Sequence, residues 1–207
     1  TLGLIDNYTD LPIYILHGEK DDNVPAREAR KMVEELSKFH KDFAYHEQPG
    51  VGHWWDDGPD PGVGCVDWKP MFDFFNYKGK PSNPMSITFK TPNPSISATR
   101  DWVTIYSQIT PSKFSSVNAN ADDKAGTINI KTDNVETLIL SLSGLLTQEK
   151  VNITIDDSPI FAETGKDIYL FKQEGEDWKV IDPPDPKLKG LHRNGPFKMT
   201  FDKNMVW

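Results

Sequence analysis

The first third of the chain alternates between buried-strand and amphipathic-helix patterns. Leu11-Pro12-Ile13-Tyr14-Ile15-Leu16 is a short continuous apolar run ending in His17-Gly18, which reads as a strand buried on both faces of a parallel sheet. Pro25 suits the first position of a helix, where a missing N–H is harmless. Beyond it Ala29, Met32, Val33, Leu36 and Phe39 recur at three- and four-residue spacing, with charged residues between them. That spacing predicts an amphipathic helix lying on a sheet. A second strand is expected near 43–47, then a Gly-rich turn, a Pro/Gly/Asp loop over 56–67 and a closing helix over Trp68–Tyr77. Strand, helix, strand, helix is α/β logic.

The period changes after Lys78-Gly79-Lys80-Pro81-Ser82-Asn83-Pro84, which marks a domain boundary between residues 80 and 81. Strands are expected at Ser86–Lys90, Trp102–Ser107, Thr127–Lys131, Thr137–Leu142, Val151–Ile155, Ile168–Lys172 and Trp178–Ile181. Thr127–Lys131 and Val151–Ile155 alternate strictly. The period-two rule turns Ile128, Ile130, Leu138, Leu140, Leu142, Ile153 and Ile155 inward. Residues 81–207 therefore read as an antiparallel all-β sandwich, following a partial α/β domain over residues 1–80.

Composition narrows the function. With 207 residues, 37% hydrophobic content and a mean hydropathy of −0.56, a soluble globular protein is expected. The net charge of −8 argues against nucleic acid or an anionic membrane as partner, and no apolar stretch is long enough to span a bilayer. A single cysteine, Cys65, excludes an internal disulfide framework; an inert thiol is the expectation. Asn7-Tyr8-Thr9 and Asn152-Ile153-Thr154 match the N-glycosylation pattern, a motif that recurs by chance. Asp56, Asp57 and Asp60 lack EF-hand spacing and read as solvated loop acids, so no metal site is expected, and no cofactor.

Two loops carry candidate chemistry. Asp21 and Asp22 follow the first strand, either of them placed to act as an acid or merely to cap the turn before Pro25. His53 follows Gly50 and Gly52, whose freedom lets the loop bend so that the ring can reach a nucleophile on another strand. An acid and a histidine, each on a loop beyond a strand and separated by one helix and one strand, fit the last two members of a Ser-Asp-His triad. No serine has a glycine two positions before it, so the Gly-x-Ser-x-Gly elbow is expected upstream of Thr1. Trp54 and Trp55 either wall a substrate site or fill the core. Trp102, Tyr106, Trp178 and Trp207 either pack in the core of the second domain, the expectation for most of them, or serve a carbohydrate- or protein-binding face.

His17-Gly18-x-x-Asp21-Asp22-Asn23-Val24-Pro25, followed by Pro49-Gly50-Val51-Gly52-His53-Trp54, resembles the C-terminal part of the prolyl oligopeptidase family of serine peptidases. The closing Phe72-Asp73-Phe74-Phe75 is also similar to that family's last helix. The resemblance implies a partial α/β-hydrolase fold with Asp21 as triad acid, His53 as base and Asn23 near substrate. It implies a peptide substrate, with an ester substrate or a non-catalytic binding module as the alternatives. A secreted or periplasmic setting fits. The first strand, without its neighbour towards the nucleophile, is expected to pair with residues 1–10, a second copy, or the upstream part of the enzyme.

Overall fold

The computed structural model describes residues 2–56, 58, 63–172, 177–185, 187 and 191, in two units, Thr1–Ser82 and Asn83–Trp207. The division falls inside the Pro/Gly segment at which the sequence period changes.

In the first unit a 3-10 helix (Leu2–Tyr8) precedes β1 (Ile13–Gly18), α1 (Ala26–Ser37), β2 (Phe43–Gln48) and α2 (Lys69–Asn76). β1 and β2 form a two-stranded parallel sheet in which Tyr14 is level with Ala44 and Leu16 with His46. Alternation sends Tyr14 and His46 to one face and Tyr45 and Glu47 to the other. On the first face α2 and its approach settle: Trp68 Nε1–H donates to Tyr14 Oη at 2.9 Å, the Trp68 ring stacks on His46, and Phe74 meets Tyr14 edge-on. On the second, Arg30 of α1 grips Glu47 bidentately, its Nε donating at 2.9 Å, while Tyr45 donates to the same carboxylate.

Two expectations are corrected here. β1 is not buried on both faces: Ile13 to His17 are all half-buried, because a sheet of two strands with one helix per face cannot enclose them. Pro25 lies just outside α1, at φ −56° and ψ 134°; its extended ψ makes it the cap, and its carbonyl accepts the Glu28 N–H. Along α1, Ala29 and Leu36 are buried, whereas Phe39, past the helix end, is 38% exposed.

The second unit contains two five-stranded sheets. One runs β10-β9-β7-β6-β3 and the other β12-β11-β8-β5-β4. The strands are β3 (Ser86–Thr91), β4 (Thr99–Arg100), β5 (Val103–Ser107), β6 (Ser115–Asp122), β7 (Thr127–Asp133), β8 (Thr137–Leu140), β9 (Lys150–Ile155), β10 (Ser158–Glu163), β11 (Ile168–Lys172) and β12 (Trp178–Ile181). Inward side chains of both sheets, among them Ile128, Ile130, Ile153 and Ile155 from one and Val103, Leu138, Leu140 and Leu170 from the other, form one core. Leu142, just beyond β8, joins it. Trp102 and Trp178 are core residues, and Tyr106 is half-buried; Trp207 lies outside the described residues.

The pairing is not wholly antiparallel: β7 and β9 run parallel. β8 between them belongs to the other sheet, so the chain crosses twice and returns to the first sheet in its original direction. Three strands escape the sequence pattern. β6 offers only Val117, Ala119 and Ala121 as apolar positions, β10 carries Pro159, and β4 has two residues. Asp156 ties the sheets together: it accepts from Thr132 N–H and Oγ1 of β7 at 2.8 and 2.6 Å, from Trp178 Nε1 at 3.0 Å and from Lys172 Nζ at 3.2 Å.

Candidate active site

Asp21 and His53 lie on loops that leave the same end of the parallel pair, and the backbone stitches these loops together. Beyond β1 the N–H of Glu19 donates to the Gln48 carbonyl at 2.9 Å, and that of Lys20 to the Val51 carbonyl at 2.8 Å. The Glu19 carboxylate accepts the Gly50 N–H at 2.6 Å. Gly18 makes this approach possible: a Cβ there would stand 2.1 Å from the Gly52 carbonyl oxygen and 2.8 Å from that of Val51. Gly50 turns the second loop at φ +74°, a conformation that suits glycine.

Within this frame the Asp21 carboxylate, 4% exposed, has both oxygens occupied. Oδ1 accepts the N–H groups of Asn23 at 2.9 Å and Val24 at 2.8 Å. Oδ2 is 2.8 Å from His53 Nδ1 and 3.3 Å from His17 Nε2. Burial pushes the carboxyl pKa up, but the Val24 N–H, the His53 ring and the Asn23 N–H together outweigh it and hold the group at about 2. Asp21 is therefore ionised at neutral pH, and an ionised carboxylate only accepts. His53 consequently donates through Nδ1–H, which leaves Nε2 of the neutral ring as an acceptor. The neighbouring Asp22 is exposed.

His17 is a participant that the sequence reading did not assign. Its Nε2 lies 2.8 Å from the Val24 carbonyl, which can only accept, so the proton sits on Nε2 and closes the 17–24 turn around Asp21. The i,i+4 spacing of His17 and Asp21 was the signal available for it.

The two tryptophans separate. Trp54 is 69% exposed and meets the His53 ring edge-on, with centroids 5.4 Å apart. Trp55 is 8% exposed, a buried position. Asn23 is exposed on the acid loop. Cys65 is a half-buried free thiol whose N–H donates to the Trp55 carbonyl at 3.1 Å. Among the described residues no cluster of His, Cys, Asp or Glu has the makings of a metal site; Asp57 and Asp60 lie outside the described residues. No helix among the described residues is long and apolar enough to cross a membrane.

The arrangement can orient an imidazole and steady it when it takes a proton. Comparison with known proteins adds a family-model match to part of the chain and one long relative. An uncharacterized secreted protein of Arthroderma benhamiae is 28% identical over 218 residues, covering 95% of this chain and 22% of its own length. The chain thus spans about a fifth of that relative. No solved structure matches this chain. Residues 4–79, the stretch that carries both Asp21 and His53, match the model of the prolyl oligopeptidase family.

Proposed function

We propose that this chain supplies the acid and the base of a serine-hydrolase triad, in a peptidase of prolyl oligopeptidase type whose nucleophilic serine lies elsewhere in the protein. The observation that carries the reading is the 2.8 Å contact between His53 Nδ1 and Asp21, which leaves Nε2 to receive a proton. In the reaction the serine Oγ attacks the substrate carbonyl while its proton passes to His53 Nε2. Asp21 stabilises the resulting imidazolium, and His53 then returns the proton to the leaving group. Water repeats the cycle to release the acyl group. Trp54 and Asn23, exposed beside the pair, would border the substrate; an amide leaving group distinguishes a peptidase from an esterase. The 207 residues alone would be inactive, because a base without nucleophile and oxyanion donors catalyses little.

Two further parts belong to this reading. Among the described residues β1 pairs with β2 alone, and Leu2–Tyr8 is a 3-10 helix, not a strand. The remainder of the enzyme would continue the sheet at the free edge of β1, covering its half-buried side chains. The second unit would be a β-sandwich accessory domain, supported by its two sheets and shared core. The name of the Arthroderma relative favours a secreted protein.

A fluorophosphonate probe on the full-length protein tests the proposal. Labelling at one serine outside these residues, lost in His53→Ala and reduced in Asp21→Asn, is the expected result. An intact full-length protein that takes no label would overturn it.

A further inference from the structure

His17 is the last side chain of β1 before Gly18, so a strand, not a loop, fixes its place. The side chain is only 13% exposed. Its Nε2–H donates to the Val24 carbonyl at 2.8 Å. Val24 is thereby held by both of its backbone polar groups, since its own N–H donates to Asp21 Oδ1 at 2.8 Å. The Asn23 N–H reaches the same oxygen at 2.9 Å. A carboxylate with one oxygen clamped by two N–H groups has little freedom left, and its second oxygen stands 2.8 Å from His53 Nδ1. Packing does little for this turn: Asp22 and Asn23 are exposed, and Val24 is 42% exposed.

We infer that His17 is a positioning residue for the triad acid. Its Nε2–H fixes Val24, Val24 fixes Asp21, and Asp21 then meets His53 in the geometry that proton transfer requires. The inference rests on the serine-hydrolase reading and adds to it a side chain that touches neither the substrate nor the reacting atoms. His17 acts as a neutral donor. Its Nε2 also lies 3.3 Å from Asp21 Oδ2, but its proton is committed to the Val24 carbonyl, which can only accept, so Oδ2 stays available to His53. Without the tie the 21–24 turn is free to shift, and a displacement of about 1 Å at a catalytic group costs about a hundredfold in rate.

Saturation labelling of the full-length protein with a fluorophosphonate tests the role. The serine Oγ bonds to phosphorus, fluoride leaves, and His53 Nε2 takes the serine proton, so the saturated rate reads the Asp21–His53 pair. Two variants differ only in reach. His17→Gln sets an amide N–H close to where Nε2 stands, and His17→Asn carries the same group one carbon short. The saturated rate should fall by about ten- to a hundredfold in His17→Asn and by less than about threefold in His17→Gln, with the half-saturating concentration within about twofold in both. Far-UV circular dichroism and thermal melting report folding. A merely structural role would lower the melting temperature and leave the saturated rate of the folded enzyme alone. A folded His17→Asn protein that labels at the wild-type rate overturns the inference. So does a folded His17→Gln protein slowed by more than about tenfold, or a change confined to the half-saturating concentration. A wild-type protein that takes no label overturns the serine-hydrolase reading itself, and this inference with it.

Discussion

Gly18→Ala is the sharpest test of how the two loops are brought together. The added Cβ would stand 2.1 Å from the Gly52 carbonyl oxygen and 2.8 Å from that of Val51. An ordinary non-bonded contact is about 3.5 Å, so the Gly52 carbonyl must retreat by about 1.4 Å and that of Val51 by about 0.7 Å. Both clashing atoms are backbone, and no rotamer change relieves them. Overpacking of this kind costs about 1–3 kcal/mol. The same retreat stretches the bond from Lys20 N–H to the Val51 carbonyl, now 2.8 Å, whose loss adds about 1 kcal/mol. A destabilisation of about 2–4 kcal/mol is expected for the first unit. His53 follows Gly52 directly, so its 2.8 Å contact with Asp21 should open beyond hydrogen-bond reach. Urea unfolding followed by NMR measures both effects. The indole resonances of Trp54, Trp55 and Trp68 report the first unit, those of Trp102 and Trp178 the second, and the His53 Nδ1 proton reports the bond. The first unit's midpoint should fall, the second unit's should stay, and the ring proton should exchange rapidly. A Gly18→Ala protein whose first unit keeps its stability within about 0.5 kcal/mol and its His53 proton signal would refute the close-approach argument.

Acid should loosen the first unit through two carboxylates. Asp21 drops from an ordinary 3.8 to about 2 in the folded state; Glu47 drops from 4.5 to about 2, drawn down by Arg30 and Tyr45. Their stabilisation is fully present above about pH 4.5 and is lost as pH falls through about 2, which a urea series between those limits will show and Asp21→Asn will reduce. In the second unit Asp156→Ala removes the acceptor shared by Thr132, Lys172 and Trp178. A loss of about 2–4 kcal/mol is expected by urea unfolding, since hydrogen bonds to a charged group contribute about 1.5–3 kcal/mol and stranded donors add to that. Leu138→Ala empties a fully buried position and should cost about 2–5 kcal/mol in the same assay.

Local pattern decided a great deal in this protein. A helix period between two short apolar runs needs only neighbouring residues to declare itself, and α1 and β2 lie where that period puts them. Strict alternation in Thr127–Lys131 and Val151–Ile155 likewise settles which side of each strand is inside, because the period of two is a property of the backbone itself. The turns that follow His17-Gly18 and precede His53 were legible as loops beyond strands for the same reason. Partners across space were not. That β9 lies parallel to β7 follows from a strand placed in the other sheet, and nothing in either sequence segment records it. β6 hid behind alanines, which are weakly apolar in sequence yet adequate where Ile128 and Ile130 supply the bulk from the adjoining strand. Asp21 and Asp22 are equivalent by local pattern, and only the resemblance favoured Asp21; its contact with His53 exists in the fold, where Gly18 lets the two loops touch. Trp54 and Trp55, adjacent and identical, part into solvent and core for the same kind of reason. Side-chain periodicity is short-ranged and survives in the sequence, whereas the identity of what stands opposite is set by chain crossings and close approaches that only the folded structure contains.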